Sequence, residues 1–424
     1  MDNQYLLHTP EGVRDIYSVE YARKETVQKR IAQVMKLYGY RNIQTPMFEF
    51  FEIFSKERGS VEARKLFKFF DREGNTLVLR PDITPSIARC AAKYYMDEDM
   101  PVRFSYCGDT FINDFCYQGR LNENTQMGAE LIGDATSDAD GEMIAMLIDS
   151  LIEAGLKEFQ VEIGHVDFFN GLMEEAGLDE QDRKELRILI EEKNYFGVEE
   201  LLSKRDLPET LKESIIKIPQ TFGTVELLKE AKNVTKNKTA QNALNRLEKI
   251  YEILSIYGLQ SYVTFDLGML GKFDYYTGII FKAYTYGMGE AVATGGRYDK
   301  LLIQFGKDAA SIGFAINLDA LMNAMQRQKI KVDTDIMGTI LLYEKEQREL
   351  AIHLAGILRG QGTYLQLMRR HSDMTLEEYV ALAIRSETGG ILYIDETGQT
   401  VQVINVLDGS KNQVSMDSFM KAKA

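Results

Sequence analysis

Cysteine is scarce in this 424-residue chain, with three residues, Cys90, Cys107 and Cys116, at spacings that match no metal site. That excludes a disulfide framework and points to reduced thiols in a cytoplasmic protein. Long apolar runs are also missing. No stretch approaches the ~20 uncharged apolar residues that span a bilayer, so no membrane association is expected. The opening MDNQYLLHTPEGVRD has no basic region followed by an apolar one, and no secretory signal is expected from it. Histidines number four, His8, His165, His353 and His371, and they are scattered, so they read as structural or exposed and no metal is expected. The motifs GxxxxGK[ST], HExxH and GxSxG are absent. Gly287, Gly289, Gly295 and Gly296 lie outside any strand–GxGxxG–helix context, so they read as hairpin turns and no cofactor is expected. Positive charge is short, with 50 Lys and Arg against 64 Asp and Glu and a net charge of −14. Nucleic acid is bound mainly through cation–phosphate contacts, so this balance argues against it as a partner. The densest basic spot is Arg369–Arg370 beside His371, which a solvated surface explains equally well.

What is present is a globular composition, 45% hydrophobic and 27% charged, at a length that suits two or three domains. YARKETVQKRIAQVMKLY places Val27, Ile31, Val34, Met35 and Tyr38 on one helical face, and Gly39 reads as its C-cap. YRNIQTPMFEFFEIF reads as a short strand broken near Pro46, TLVLRPD as a second strand, and ITPSIARCAAKYYM as a helix. DADGEMIAMLIDSLIEAG is a predicted helix stopping at Gly155, and LKEFQVEIGHVD alternates like a strand, with Phe159, Val161 and Ile163 on one face. From about 167 to 257 the chain is rich in Glu, Lys and Leu with almost no strand signal, which predicts a helical insertion. SYVTFDLG, YTGIIFKAYTYG and EAVATGGRYD read as strands, and SIGFAINLDALMNAMQRQ as a strand running into an amphipathic helix. Residues 327–338 read as a linker. Beyond it, β and α segments alternate, predicting a small α/β domain over 339–424 with a largely parallel sheet.

Polar groups gather at the predicted strand ends. Asp82 and Thr84 follow one strand, while Gln126 and Glu130, four apart on another, face the same side. Tyr275 and Tyr276 open a strand, and Arg297–Tyr298 closes a glycine hairpin. A carboxylate, an amide and phenols on a sheet floor suit a small zwitterion with a hydrogen-bonding side chain. Each residue alone reads more readily as a rim group satisfied by backbone.

Taken in order, the segments resemble the class II aminoacyl-tRNA synthetases, specifically histidyl-tRNA synthetase. TPEGVRD resembles that family's opening, YGYRNIQTPMFE its first motif with the proline at Pro46, and LRPDIT its Leu-Arg-Pro-Glu-Gly-Thr segment. FSYCGDTFINDFCYQGRLNENTQMGAELIG covers the second motif and SIGFAINLDAL the third. KFDYYTGIIF and GGRYDKLL resemble the two segments diagnostic of the histidine enzyme. The resemblance implies an α+β fold, in which an antiparallel sheet flanked by helices forms a synthetase-like core over 1–326. An anticodon-binding-like domain would follow at the C-terminus. It also implies a histidine pocket in which Asp82, Thr84 and Gln126 face the amino group, Glu130 and Tyr276 face the imidazole, and Tyr275 and Tyr298 line the walls. Arg120 and Arg297 are candidate anion contacts.

Three family arginines are replaced. The second motif's Phe-Arg is Phe111–Ile112, the arginine ahead of the tyrosine pair falls on Gly271, and the third motif's Gly-Leu-Glu-Arg is Asn317-Leu318-Asp319-Ala320. Activating an amino acid joins a carboxylate to the α-phosphate of ATP, and fixed cations must neutralise the charge that builds. Losing one preorganised donor typically costs on the order of 10² to 10³ in rate. With Ile112, Gly271 and Ala320 all lacking the cation, adenylation is expected to be nearly abolished. A synthetase-like chain of this kind resembles the regulatory subunit family of ATP phosphoribosyltransferase, which serves the first step of histidine biosynthesis. That resemblance implies a non-catalytic, allosteric role in a hetero-oligomer with a short-form catalytic subunit, free histidine as ligand, and a homodimer through the first-motif helix and strand. The alternatives are a divergent histidyl-tRNA synthetase and a non-catalytic tRNA-binding sensor.

Overall fold

Alternation along the chain builds a broad sheet, and the longest apolar helices cover it. The computed structural model describes residues 7–55, 61–97, 101–114, 121–192, 194–218, 221–270, 276–334 and 338–423. They fall into two compact units. One runs to Arg14 and from Val27 to Lys331; the other comprises Asp15–Thr26 and the chain from Val332 onward.

The first unit holds a nine-stranded sheet among the described residues. In chain order its strands are β1 (Arg41–Asn42), β5 (Val102–Phe111), β6 (Glu123–Ile132), β7 (Phe159–His165), β8 (Phe222–Gly223), β9 (Val263–Asp266), β10 (Ile279–Thr285), β11 (Ala293–Arg297) and β12 (Ser311–Asn317). Their spatial order is β1-β5-β6-β12-β11-β10-β7-β9-β8. Pairing is antiparallel except at β1–β5 and β7–β9. In β7, Phe159, Val161 and Ile163 are buried while Gln160 and Glu162 are half-buried, the period-2 pattern of its sequence.

Helix α4 (Ser137–Ala154) begins where the Thr136 hydroxyl accepts from the Ala139 N–H, and ends at Gly155, whose φ of 108° a side chain would oppose. Met143 to Ile148 are all buried, because the helix lies between the sheet and helix α10 (Lys238–Ile256). Among the described residues, 166–256 contain six helices, α5 to α10, together with the short strand β8. A separate three-stranded sheet pairs β2 (Phe48–Phe50) and β3 (Lys68–Phe70) with β4 (Thr76–Leu79). The FFEIF stretch, expected as strand, turns into helix α2 (Glu52–Ser55) after β2. Helix α3 (Thr84–Tyr94) packs Ile87, Ala88 and Ala91 against Phe104 and Tyr106 of β5 and against Tyr298.

Among the described residues of the second unit five strands run in the order β14-β13-β15-β16-β17. They are β13 (Thr339–Tyr343), β14 (Leu365–Arg369), β15 (Gly390–Ile394), β16 (Thr400–Asn405) and β17 (Lys411–Ser415). The first three are mutually parallel and the last two add antiparallel. The sheet is therefore mixed rather than largely parallel. Helix α12 (Arg348–Gly360) covers one face through Ala351, Leu354 and Leu358, and α13 (Leu376–Arg385) covers the other through Tyr379 and Ala383. Among the described residues no helix is long and apolar enough to cross a membrane.

Candidate functional site

The site forms where the N-terminus of α3 meets the centre of the large sheet. Arg80, two residues ahead of Asp82, is buried and fixes this corner. Its Nε donates to the Asp109 carbonyl at 2.7 Å and its Nη1 to the Thr45 carbonyl at 2.9 Å. Asp82 and Thr84 are thereby held over strand β6. Gln126, Gly128 and Glu130 share one face of that strand. Gln126 Nε2 donates to Asp82 Oδ1 at 3.4 Å, and so does the Thr84 backbone N–H at 3.4 Å.

Glu130 lies at the bottom and is 1% exposed. The Thr84 hydroxyl donates to its Oε1 at 2.7 Å, and the Tyr298 hydroxyl donates to its Oε2. Burial pushes the Glu130 carboxyl up to about 8; the two hydroxyl donors oppose that shift and the charge of Asp82 adds to it. The same burial, with Glu130 beside it, drives Tyr298 well above the ordinary tyrosine range.

Two glycines make room for this arrangement. The register sets Gly296 of β11 beside Gly313 of β12, and Gly313 beside Glu130. A Cβ at Gly313 would stand 1.6 Å from Glu130 Oε2, and one at Gly296 would stand 2.6 Å from the Tyr276 ring. The strands are bare there so that a carboxylate and a phenol can lie flat upon them. A glycine inside the strand pattern SIGFAIN is the only sequence signal that marks Gly313.

The resulting cavity is about 120 Å³ and is lined by Asp82, Thr84, Gln126, Glu130, Tyr276 and Tyr298, together with the Gly295–Gly296 floor. That is well above the roughly 10–15 Å³ a single water needs. Six of the seven residues expected to hold a ligand thus meet in one place, while the seventh, Tyr275, lies outside the described residues, as do Arg120 and Gly271. Arg297 does not join them. Its guanidinium is buried and donates to Asp140 Oδ1 at 2.5 and 3.0 Å and to the Asp134 carbonyl at 3.0 Å. Asp140 is itself fully buried and also takes Arg246 Nε at 2.6 Å, so Arg297 is a structural ion pair rather than an anion contact.

Chemically the pocket offers carboxylates at both ends and hydroxyls between them. Among the described residues lining it there is no lysine or arginine. Ile112 stands in its wall, and Ala320 sits in the first turn of helix α11 (Leu318–Arg327), its N–H donated to Asn317 Oδ1 at 3.0 Å. A neighbouring cleft of about 890 Å³ at the end of β5 is lined by Arg64 and Lys65. Those cations are paired already, Lys65 with Asp114 at 2.7 Å and Arg64 with Glu62 at 2.6 Å.

The histidyl-tRNA synthetase family profile matches residues 12–321. The ATP phosphoribosyltransferase regulatory subunit of Acetivibrio thermocellus is 38% identical to this chain over 99% of its length and 100% of the relative's. The chain belongs to the ATP phosphoribosyltransferase regulatory subunit family. The Ruminiclostridium cellulolyticum subunit of the same name is 37% identical over 99% of both chains. A crystal structure of an ATP phosphoribosyltransferase regulatory subunit/histidyl-tRNA synthetase from Bacillus halodurans superposes with a TM-score of 0.82. It is 34% identical, covering 92% of this chain and 98% of the other. The histidyl-tRNA synthetase of a Nostoc species, 18% identical, shares the fold over 98% of both chains with a TM-score of 0.81. The α+β, class II synthetase-like fold expected from the motifs is therefore the fold of this family.

Proposed function

We propose that this chain is a non-catalytic regulatory and activating subunit of ATP phosphoribosyltransferase that binds free histidine in its synthetase-like pocket. One observation carries the reading. The cavity keeps acceptors for an ammonium group, Asp82 and Gln126, and polar groups for an imidazole, Glu130 and Tyr276. Yet no cation among its described lining residues could neutralise a nucleotide's phosphates. The pocket suits recognition of an amino acid without its activation.

The family name supports a catalytic partner subunit, which we take to be the short form serving the first step of histidine biosynthesis that the resemblance implies. The scarcity of cysteine fits a cytoplasmic location. Phe48 and Phe50 of β2 are 51% and 53% exposed, which suits a homodimer through the first-motif helix and strand. The second unit, with its five-stranded sheet and flanking helices, would be the anticodon-binding-like domain, kept without its RNA role. The test is reconstitution. Adding this chain to the cognate short catalytic subunit should raise phosphoribosyl transfer, and titrating histidine should lower it again. No gain on addition would overturn the reading.

A further inference from the structure

Beside the pocket lies a buried group that the histidine reading leaves unused. Tyr106 on β5 is 4% exposed, and its hydroxyl, shielded from solvent, makes no well-formed hydrogen bond among the described residues, with Thr84 near enough to interact with it. Such a group costs free energy unless some state of the protein satisfies it.

Its position is fixed by the sheet. Tyr106 pairs with Gly128, and a Cβ at Gly128 would stand 2.5 Å from the Tyr106 oxygen. The hydroxyl therefore lies over Gly128, between Gln126 and Glu130 on the same face of β6. Thr84 lies against it and draws its pKa down, against the stronger upward push of burial and of Glu130. The Thr84 hydroxyl has one proton, already given to Glu130 at 2.7 Å, and a free lone pair. A small movement that brings the Tyr106 and Thr84 oxygens into hydrogen-bond distance, with the Tyr106 O–H aimed at that lone pair, would complete a chain from Tyr106 to Thr84 to Glu130. Such a chain strengthens the donor at its end, and its benefit is greatest when the final acceptor is charged.

Resting on the pocket reading above, we infer that Tyr106 is a positioning residue that supports ionised Glu130 through Thr84, so that the ligand's imidazole is held as imidazolium against a carboxylate. In the empty pocket burial keeps the Glu130 carboxyl protonated at neutral pH. On binding, its proton passes to the ligand ring nitrogen, and no proton enters or leaves overall. The other ionisable groups facing this spot are Asp82, Tyr276 and Tyr298, with Tyr40 also within reach of the Glu130 charge; the cation Arg80 interacts with Tyr106 from the other side, its guanidinium held by the Asp109 and Thr45 carbonyls.

The test is Tyr106→Phe in the full chain, read by calorimetric titration with histidine across pH 6 to 10. At pH 7 the carboxylate is ionised mainly in the complex, so affinity should fall about fivefold, the worth of one hydrogen bond. Above the Glu130 pKa both empty and bound forms carry the carboxylate. The loss should then cancel, and the two proteins should converge by about pH 10. Any titration of free histidine affects both proteins equally and drops out of the ratio. At pH 7 the empty variant should melt no lower than the parent, because Glu130 is then protonated and the phenol it loses makes no well-formed hydrogen bond. An equal loss at every pH, no loss at pH 7, or a lower melting temperature without ligand at pH 7 would each overturn the inference. If the parent chain binds histidine and the variant behaves identically, only the Tyr106 role fails. If the parent chain binds no histidine, the pocket reading fails and this inference with it.

Discussion

Replacing Glu130 by glutamine should stabilise the empty protein, and by an amount that depends on pH. The side chain is 1% exposed and its carboxyl is raised from 4.5 to about 8. For an acid raised in this way, the folded protein holds more protons than the unfolded chain between those two values. Stability must therefore fall as pH rises through that window, by about 1.4 kcal/mol per pH unit for this one group. Below about pH 4.5 both states are protonated and the parent equals Glu130→Gln. At pH 7 the neutral amide should be more stable by something on the order of 3 kcal/mol, and above about pH 8 the difference should level off. Glutamine retains an oxygen for the Thr84 hydroxyl at 2.7 Å, and its amide N–H can donate to the Tyr298 oxygen once that hydroxyl turns, so packing changes little. Urea unfolding of both proteins at pH 5, 6, 7, 8 and 9 measures the difference. A constant difference, or a parent that gains on the variant as pH rises, would refute the claim that burial governs this carboxyl.

Two further outcomes follow from the same geometry. Gly313→Ala places a methyl 1.6 Å from Glu130 Oε2. The carboxylate must shift off Thr84 and Tyr298, so thermal melts should show a loss of about 1–3 kcal/mol, and histidine binding should disappear. Gly289→Ala, with nothing within 4 Å, is the silent control. Asp140→Ala leaves the buried Arg297 and the Arg246 guanidinium without their shared carboxylate. It should cost about 3–5 kcal/mol, measured by chemical unfolding.

Much of this arrangement was legible in the residues. The apolar face of QNALNRLEKIYEILSIYG became α10, the alternation around Phe159 became β7, and Gly155 stopped its helix as expected. Gln126 and Glu130 share a pocket because a strand's period is two, which sequence spacing reveals directly. Other features depend on partners far away in the chain. Arg297 looked like an anion contact because an arginine beside a ligand motif carries no mark of its own pairing. Its carboxylate, Asp140, lies 157 residues earlier. The mixed character of the C-terminal sheet was hidden because β17, KNQVS, is exposed along its whole length and shows no apolar alternation. Strand β8 is two residues long and leaves no pattern. Tyr106 gave no signal at all, since its importance comes from lying across Gly128 on the next strand.

Histidine-dependent ATP–pyrophosphate exchange by the purified chain tests the central claim most directly, because it reads adenylation without needing tRNA or the catalytic subunit. A pocket walled by Ile112, with no lining lysine or arginine among its described residues, should give no exchange above background even at saturating histidine and ATP. Robust, histidine-dependent exchange would show that phosphate charge is neutralised by other means and would contradict the account.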